Sequence, residues 1–143
     1  SPPTPFVSIT EGGNVEVIVK YENGERFEAC AGEYTLTSGE GSDGNKARDG
    51  MYPPDMLAAA TGACVGIYIL RHCAHHDIPC EGLTIKVTRE TAKAPSRTTR
   101  IEVKIEMPGE LTDKQREGIL RVADMCHIGQ TLRRGAEVVC SLA

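Results

Sequence analysis

The sequence predicts an α+β fold in one domain, residues 1–143, on three observations. Apolar and polar residues alternate in two separate regions, as in half-buried strands. A long run that is apolar on nearly every side follows Pro53-Pro54. A capping-box motif at Thr112 opens an amphipathic stretch near the other end. At 15.4 kDa the chain suits a single domain, large enough to bury about 68–70% of its unfolded surface without cross-links.

The elements follow in order. Residues 6–36 read as strands, with Val15, Val17 and Val19 alternating with Glu16, Ile18 and Lys20. Asn23-Gly24 between two extended runs is a hairpin signal, because both residue types tolerate positive φ, and Arg26 to Thr37 is the expected return strand. Residues 38–54 form a loop rich in turn formers, expected to be flexible. From Pro53 the pattern is helical. Two prolines suit the first turn, Asp55 favours the N-terminal dipole, and the run to His76 is apolar all round as far as Leu70, as for a helix buried through a core. Ala59, Ala60, Gly62, Ala63 and Gly66 allow a neighbouring backbone to come close. Leu83–Glu90 and Thr98–Met107 alternate as two strands with an exposed connector. Thr112 to Gln115 caps a helix whose apolar face carries Ile119, Leu120, Val122 and Ala123. A short helical piece after Cys126 and a final strand, Ala136–Leu142, complete the order.

Composition excludes several functions. The net charge is −4, against the basic excess of a general nucleic-acid binder. The longest uncharged run, Met56 to Leu70, has 15 residues, below the ~20 a bilayer span needs. The first five residues have neither the basic start nor the apolar core of a signal peptide. No nucleic-acid or membrane partner and a cytoplasmic location are therefore expected. Gly39, Gly41 and Gly44 match the spacing of a dinucleotide fingerprint, but no helix can open at the third glycine, so no cofactor is expected.

Six cysteines in a chain of ordinary apolar content point to thiols rather than a disulfide scaffold. Cys30 and Cys140 lie in predicted strands and are expected to pack as small apolar groups, and Cys80 falls in a turn after Pro79. His72, Cys73, His75, His76 and Cys80 cluster at a helix end, and His72 and His76 share one helical face. This cluster is either a zinc-binding group or a helix C-terminus that favours cations. Cys64 lies mid-way along the apolar helix among small residues, and Cys126 ends the amphipathic helix before His127. They are 62 positions apart, so spacing alone does not pair them.

The segment Pro54 to Cys64 resembles the motif that carries the first redox cysteine in osmotically inducible protein C and organic hydroperoxide resistance proteins, the OsmC/Ohr family. Ala123 to Leu132 is similar to the family's second cysteine motif, and the strands and helix between them fall in the family's order. The resemblance covers about residues 15–142. It implies an OsmC-like fold, antiparallel sheets wrapped around a long buried central helix, and an intertwined homodimer with active sites at the interface. It also implies a cysteine-based peroxidase: Cys64 attacks an organic hydroperoxide, Cys126 resolves the sulfenic acid as a disulfide, and a dithiol resets the pair. The family's alternative is a non-peroxidatic member that binds a small apolar or thiol ligand.

Three positions depart from the family pattern. Asp55 stands where the family has a glutamate that holds an arginine, and it is either that substitute or a plain helix-dipole charge. Gly13-Asn14 occupies the register of the usual arginine, leaving Arg26 and Arg48 as candidates for supporting the thiolate. His127 replaces the usual proline and is either a cation that lowers the Cys126 pKa or a surface histidine.

Overall fold

The computed structural model describes residues 16–39 and 50–143, which divide after Met56 into two compact units. Val15, Gly41, Gly44, Arg48 and most of the 38–54 loop lie outside the described residues.

The first unit carries a three-stranded antiparallel sheet of β1 (Ile18–Asn23), β2 (Arg26–Ala31) and β3 (Tyr34–Ser38) in that order. The return strand expected over Arg26 to Thr37 is two strands. Each hairpin turns on a Gly-Glu pair, Gly24-Glu25 and Gly32-Glu33, with φ of +51° and +62° at the glycines. The first turn therefore sits one residue later than Asn23-Gly24 suggests: Asn23 pairs with Arg26 and stays in the ladder. Tyr21 opposes Phe27 with ring centroids 5.5 Å apart, a cross-strand aromatic pair that fixes the register. The ends of the 38–54 loop are clipped together. Gly39 donates to the Met51 carbonyl at 3.2 Å and Met51 to the Thr37 carbonyl at 3.1 Å.

Helix α1 (Pro53–His75) starts at the proline pair, as the sequence predicts. It does not bury all round. Ala58, Thr61, Gly62, Val65, Ile69 and Cys73 form one buried stripe, while Leu57, Ile67 and Leu70 stay exposed. By length and composition α1 could cross a membrane, but a core helix passes the same test. It ends in a Schellman motif. Asp77 takes the left-handed conformation at φ +52°, and Ile78 donates back to the Cys73 carbonyl at 3.0 Å.

The second unit contains the rest of α1, the hairpin of β4 (Thr84–Lys93) and β5 (Ser96–Glu106), α2 (Asp113–Asp124) and α3 (His127–Arg134). The β4–β5 strands run further than predicted, to a two-residue turn at Ala94-Pro95. Ile85 opposes Ile105 and Val87 opposes Val103, a half-buried face against the core, while Thr84, Lys86, Glu102 and Lys104 face outward. That face meets α1 at its glycines. A Cβ on Gly62 would lie 2.9 Å from Val87 Cγ2, and one on Gly66 would lie 3.2 Å from Ile85 Cδ1. The core gathers Val65, Ile69, Cys73, Ile78, Ile119 and Cys126. The capping box of α2 is complete: Gln115 N–H donates to Thr112 Oγ1 at 3.1 Å, and Thr112 N–H to Gln115 Oε1 at 2.9 Å.

The expected final strand is absent among the described residues. Gly135, at φ +77°, ends α3, and residues 135–143 run exposed without a ladder, with Val138 at 86% and Leu142 fully open. Their valines have strand propensity, but a strand needs a partner for its N–H and C=O groups. Cys140 is therefore exposed rather than packed.

Candidate functional site

The two cysteines singled out by sequence come together in the second unit. Cys64 lies mid-way along α1, half-buried, one residue from the buried stripe at Val65. Cys126 follows α2 and caps α3, and only 1% of it is exposed. Cys64 packs against the core cluster that holds Cys126, and its thiol is near enough to raise the Cys126 pKa. All six cysteines are free thiols.

The surroundings of Cys126 are built by α3. As N-cap residue, Cys126 accepts on its sulfur from the Gly129 N–H at 3.3 Å, filling one of the donors a helix start leaves open. Glycine at 129 permits this approach, because a Cβ there would lie 3.0 Å from Cys126 Sγ. The same Cβ would lie 3.5 Å from Arg133 Nη1, so thiol and guanidinium flank one backbone position. Asp124 fixes that guanidinium from two atoms: its carbonyl accepts from Arg133 Nη1 at 2.6 Å and its Oδ1 from Nη2 at 3.0 Å. Burial pushes the Cys126 thiol above its ordinary pKa. The Gly129 N–H works against that shift, the Cys64 thiol adds to it, and Arg133 opposes it.

A cavity of about 390 Å³ borders the site, with Val65, Ile101, Val103, Ile105, Leu120 and Leu132 as apolar wall. Cys126 and Arg133 also line it.

Arg26 and Asp55 belong to the first unit. Arg26 opens β2 in the first unit and pairs with Glu22 across the hairpin. Asp55 lies in the first turn of α1, within the first unit, its N–H bonded to the Tyr52 carbonyl at 2.9 Å. His127 is exposed and is not among the groups that shift the Cys126 thiol; the cation there is Arg133. Asp124, Gly129 and Arg133 are not singled out by the sequence reading. Positions 126, 129 and 133 follow i, i+3, i+7, a one-face helical spacing that marks them once Cys126 is known to begin a helix.

The zinc reading of the histidine cluster is not supported, since among the described residues no three His, Cys, Asp or Glu side chains gather to hold an ion. His72 and His76 stack at 4.4 Å, whereas Cys73 turns into the core and meets Cys80. Burial and the Cys80 thiol push Cys73 up to about 12, which leaves it an unreactive neutral thiol. Cys30 is also raised, by desolvation and by the Glu28 carboxylate that its thiol meets at 3.6 Å.

The sequence model described as OsmC-like protein matches residues 39–141. No curated protein sequence matches the chain. Among solved structures, one from Psychrobacter arcticus 273-4, described as an osmotic stress induced and detoxification response protein, superposes with a TM-score of 0.75 at 22% identity. That match covers 83% of this chain and 88% of the other. An OsmC like protein from Mycoplasma pneumoniae gives 0.70 at 16% identity, covering 82% and 86%. An organic hydroperoxide resistance protein OsmC from Legionella pneumophila gives 0.60 at 16% identity, covering 82% and 89%. At these identities the likeness is one of fold.

Proposed function

The chain belongs to the OsmC-like protein family, and on that premise we propose that it is a thiol-dependent peroxidase reducing organic hydroperoxides through Cys64 and Cys126. The observation that carries this reading is the closeness of two thiols that are 62 positions apart in sequence. A Cys64 thiolate attacks one peroxide oxygen; the O–O bond breaks, the alcohol leaves with a proton, and Cys64 becomes a sulfenic acid. Cys126 attacks that sulfur, the S–S bond forms and water leaves. A dithiol then returns two electrons and is itself oxidised to a disulfide.

The apolar cavity wall suits the organic part of such a substrate. The Legionella neighbour's description as a hydroperoxide resistance protein is in line with this chemistry. The family resemblance nominates Asp55 and Arg26 as supports for the Cys64 thiolate. A homodimer belongs to the same reading, and the apolar side chains of Ile67 and Leu70, left open on α1, support it. Six free thiols fit a reducing, cytoplasmic compartment.

Hydroperoxide consumption with dithiothreitol as reductant tests the proposal on wild type, Cys64→Ser and Cys126→Ser. Wild type should consume cumene hydroperoxide with turnover and Cys64→Ser should not. Wild type no faster than Cys64→Ser sinks the peroxidase reading. The cavity alone favours a second reading, binding of a small apolar ligand without chemistry; it predicts ligand binding unchanged in Cys64→Ser.

A further inference from the structure

Cys126 carries a conflict in its surroundings. It is 1% exposed, and burial penalises its thiolate. In the proposed cycle, however, its sulfur bears negative charge twice: as the nucleophile that closes the disulfide, and as a leaving group when that disulfide is opened. A group with that duty in a dry site needs fixed positive charge aimed at it. The second unit supplies three such parts. Gly129 N–H donates to the sulfur at 3.3 Å. The start of α3, which Cys126 caps, adds the positive end of the helix dipole. Arg133 approaches the same open Cβ position of Gly129 as the sulfur does, with its guanidinium held by the carbonyl and carboxylate of Asp124.

We propose that Arg133, clamped by Asp124, is a positioning residue that holds negative charge on Cys126 Sγ, making Cys126 the leaving thiolate and Cys64 the sulfur at which an external thiol enters. This rests on the Cys64–Cys126 cycle proposed above. Access points the same way. Cys64 is half-buried, whereas only 1% of Cys126 is exposed. The thiolate RS⁻ attacks Cys64 Sγ, the Cys64–Cys126 S–S bond breaks, and its electron pair leaves on Cys126 Sγ. The product is a Cys64–S–S–R mixed disulfide, which the second thiol of a dithiol then displaces to free Cys64.

The side chain of Arg133 is 54% exposed, so solvent weakens its field and the effect is moderate rather than decisive. The clamp compensates in part, because a guanidinium bonded at two points loses little further freedom in facing the sulfur.

Two arms test the proposal. In Cys64→Ser protein, the iodoacetamide alkylation rate of Cys126 is followed against pH. Arg133→Gln should move the midpoint upward and slow alkylation below it roughly three- to tenfold, one pKa unit being tenfold in thiolate. Arg133→Lys should restore most of the rate, Asp124→Asn should give a smaller shift in the same direction, and concentrated salt should shrink the difference. An unmoved midpoint in Arg133→Gln overturns the role of Arg133, whatever its effect on stability. In the second arm, oxidised wild type is treated with glutathione and the mixed disulfide is mapped by peptide mass. Glutathione on Cys64 is expected, and glutathione on Cys126 overturns the direction of entry. If hydroperoxide forms no Cys64–Cys126 disulfide at all, the proposed function fails instead, and the alkylation arm still decides whether Arg133 supports the Cys126 thiolate.

Discussion

Gly62 and Gly66 sit one turn apart on α1, on either side of Cys64, and replacing each by alanine should have opposite consequences. Alanine gains about 1 kcal/mol of helix propensity over glycine at both positions, so that contribution cancels in the comparison. The new methyl does not cancel. At 62 it lands 2.9 Å from Val87 Cγ2, where ordinary carbon contacts need about 3.5–4.0 Å. Val87 is β-branched, half-buried in the middle of β4 and stiff at χ1, so the helix and strand must separate by about 0.6–1 Å. Overpacking of this kind costs about 1–3 kcal/mol, leaving Gly62→Ala neutral to destabilised by about 2 kcal/mol. At 66 the methyl lies 3.2 Å from Ile85 Cδ1, the free end of a side chain that can rotate for about 0.5 kcal/mol. Gly66→Ala should therefore match or exceed wild-type stability. Urea unfolding at fixed protein concentration should separate the two variants by about 0.5–2.5 kcal/mol, or about 0.25–1.2 M in midpoint for a slope of about 2 kcal/mol/M. Equal midpoints, or Gly62→Ala the more stable, would refute the close approach of β4 to α1 at Gly62.

Other outcomes follow from the same structure. Asp77→Gly should raise stability by about 0.4–1 kcal/mol, since Asp77 holds φ +52° in the Schellman end of α1, whereas Asp77→Ala should not; thermal or urea unfolding reads both. Thr112→Ala removes the capping box of α2 and should cost about 1 kcal/mol in the same assay. His72 is held below the ordinary histidine pKa by burial first, then by His76, Arg121 and His75. The unfolded chain therefore binds a proton that the folded chain resists, and stability should fall as pH drops from about 6.5 through the lower folded value, then level off. His72→Gln should flatten the stability profile between about pH 7 and pH 5, and an unchanged slope would count against the burial of that imidazole.

The regular elements were legible where local chemistry and tertiary demand agree. Pro53 starts α1, Thr112 and Gln115 cap α2, and the alternation at 84–106 places Ile85, Val103 and Ile105 against the core. The misreadings share a cause. The turn at Gly24-Glu25 and the break at Gly32 depend on which glycine takes positive φ, and both Asn23 and Gly24 carry that tendency in sequence. The tail at 135–143 has strand composition, but whether it forms a strand depends on a partner that no local pattern encodes. An all-round apolar α1 could be read as fully buried, yet one stripe faces this core and Leu57, Ile67 and Leu70 do not.

The site was legible as two cysteine motifs, and their contact is a tertiary fact. Arg133 and Asp124 carry no such signal, because a polar residue near a helix end is ordinarily solvated; only the position of Cys126 as N-cap of α3 brings their ion pair beside a thiol.

The most direct test of the central claim is peptide mass mapping of the reduced wild-type protein after stoichiometric cumene hydroperoxide, with free thiols blocked at the quench. A Cys64–Cys126 disulfide is predicted, with Cys30, Cys73, Cys80 and Cys140 recovered as blocked thiols. Recovery of Cys64 and Cys126 as blocked thiols, or oxidation centred on another pair such as Cys73 and Cys80, would contradict it.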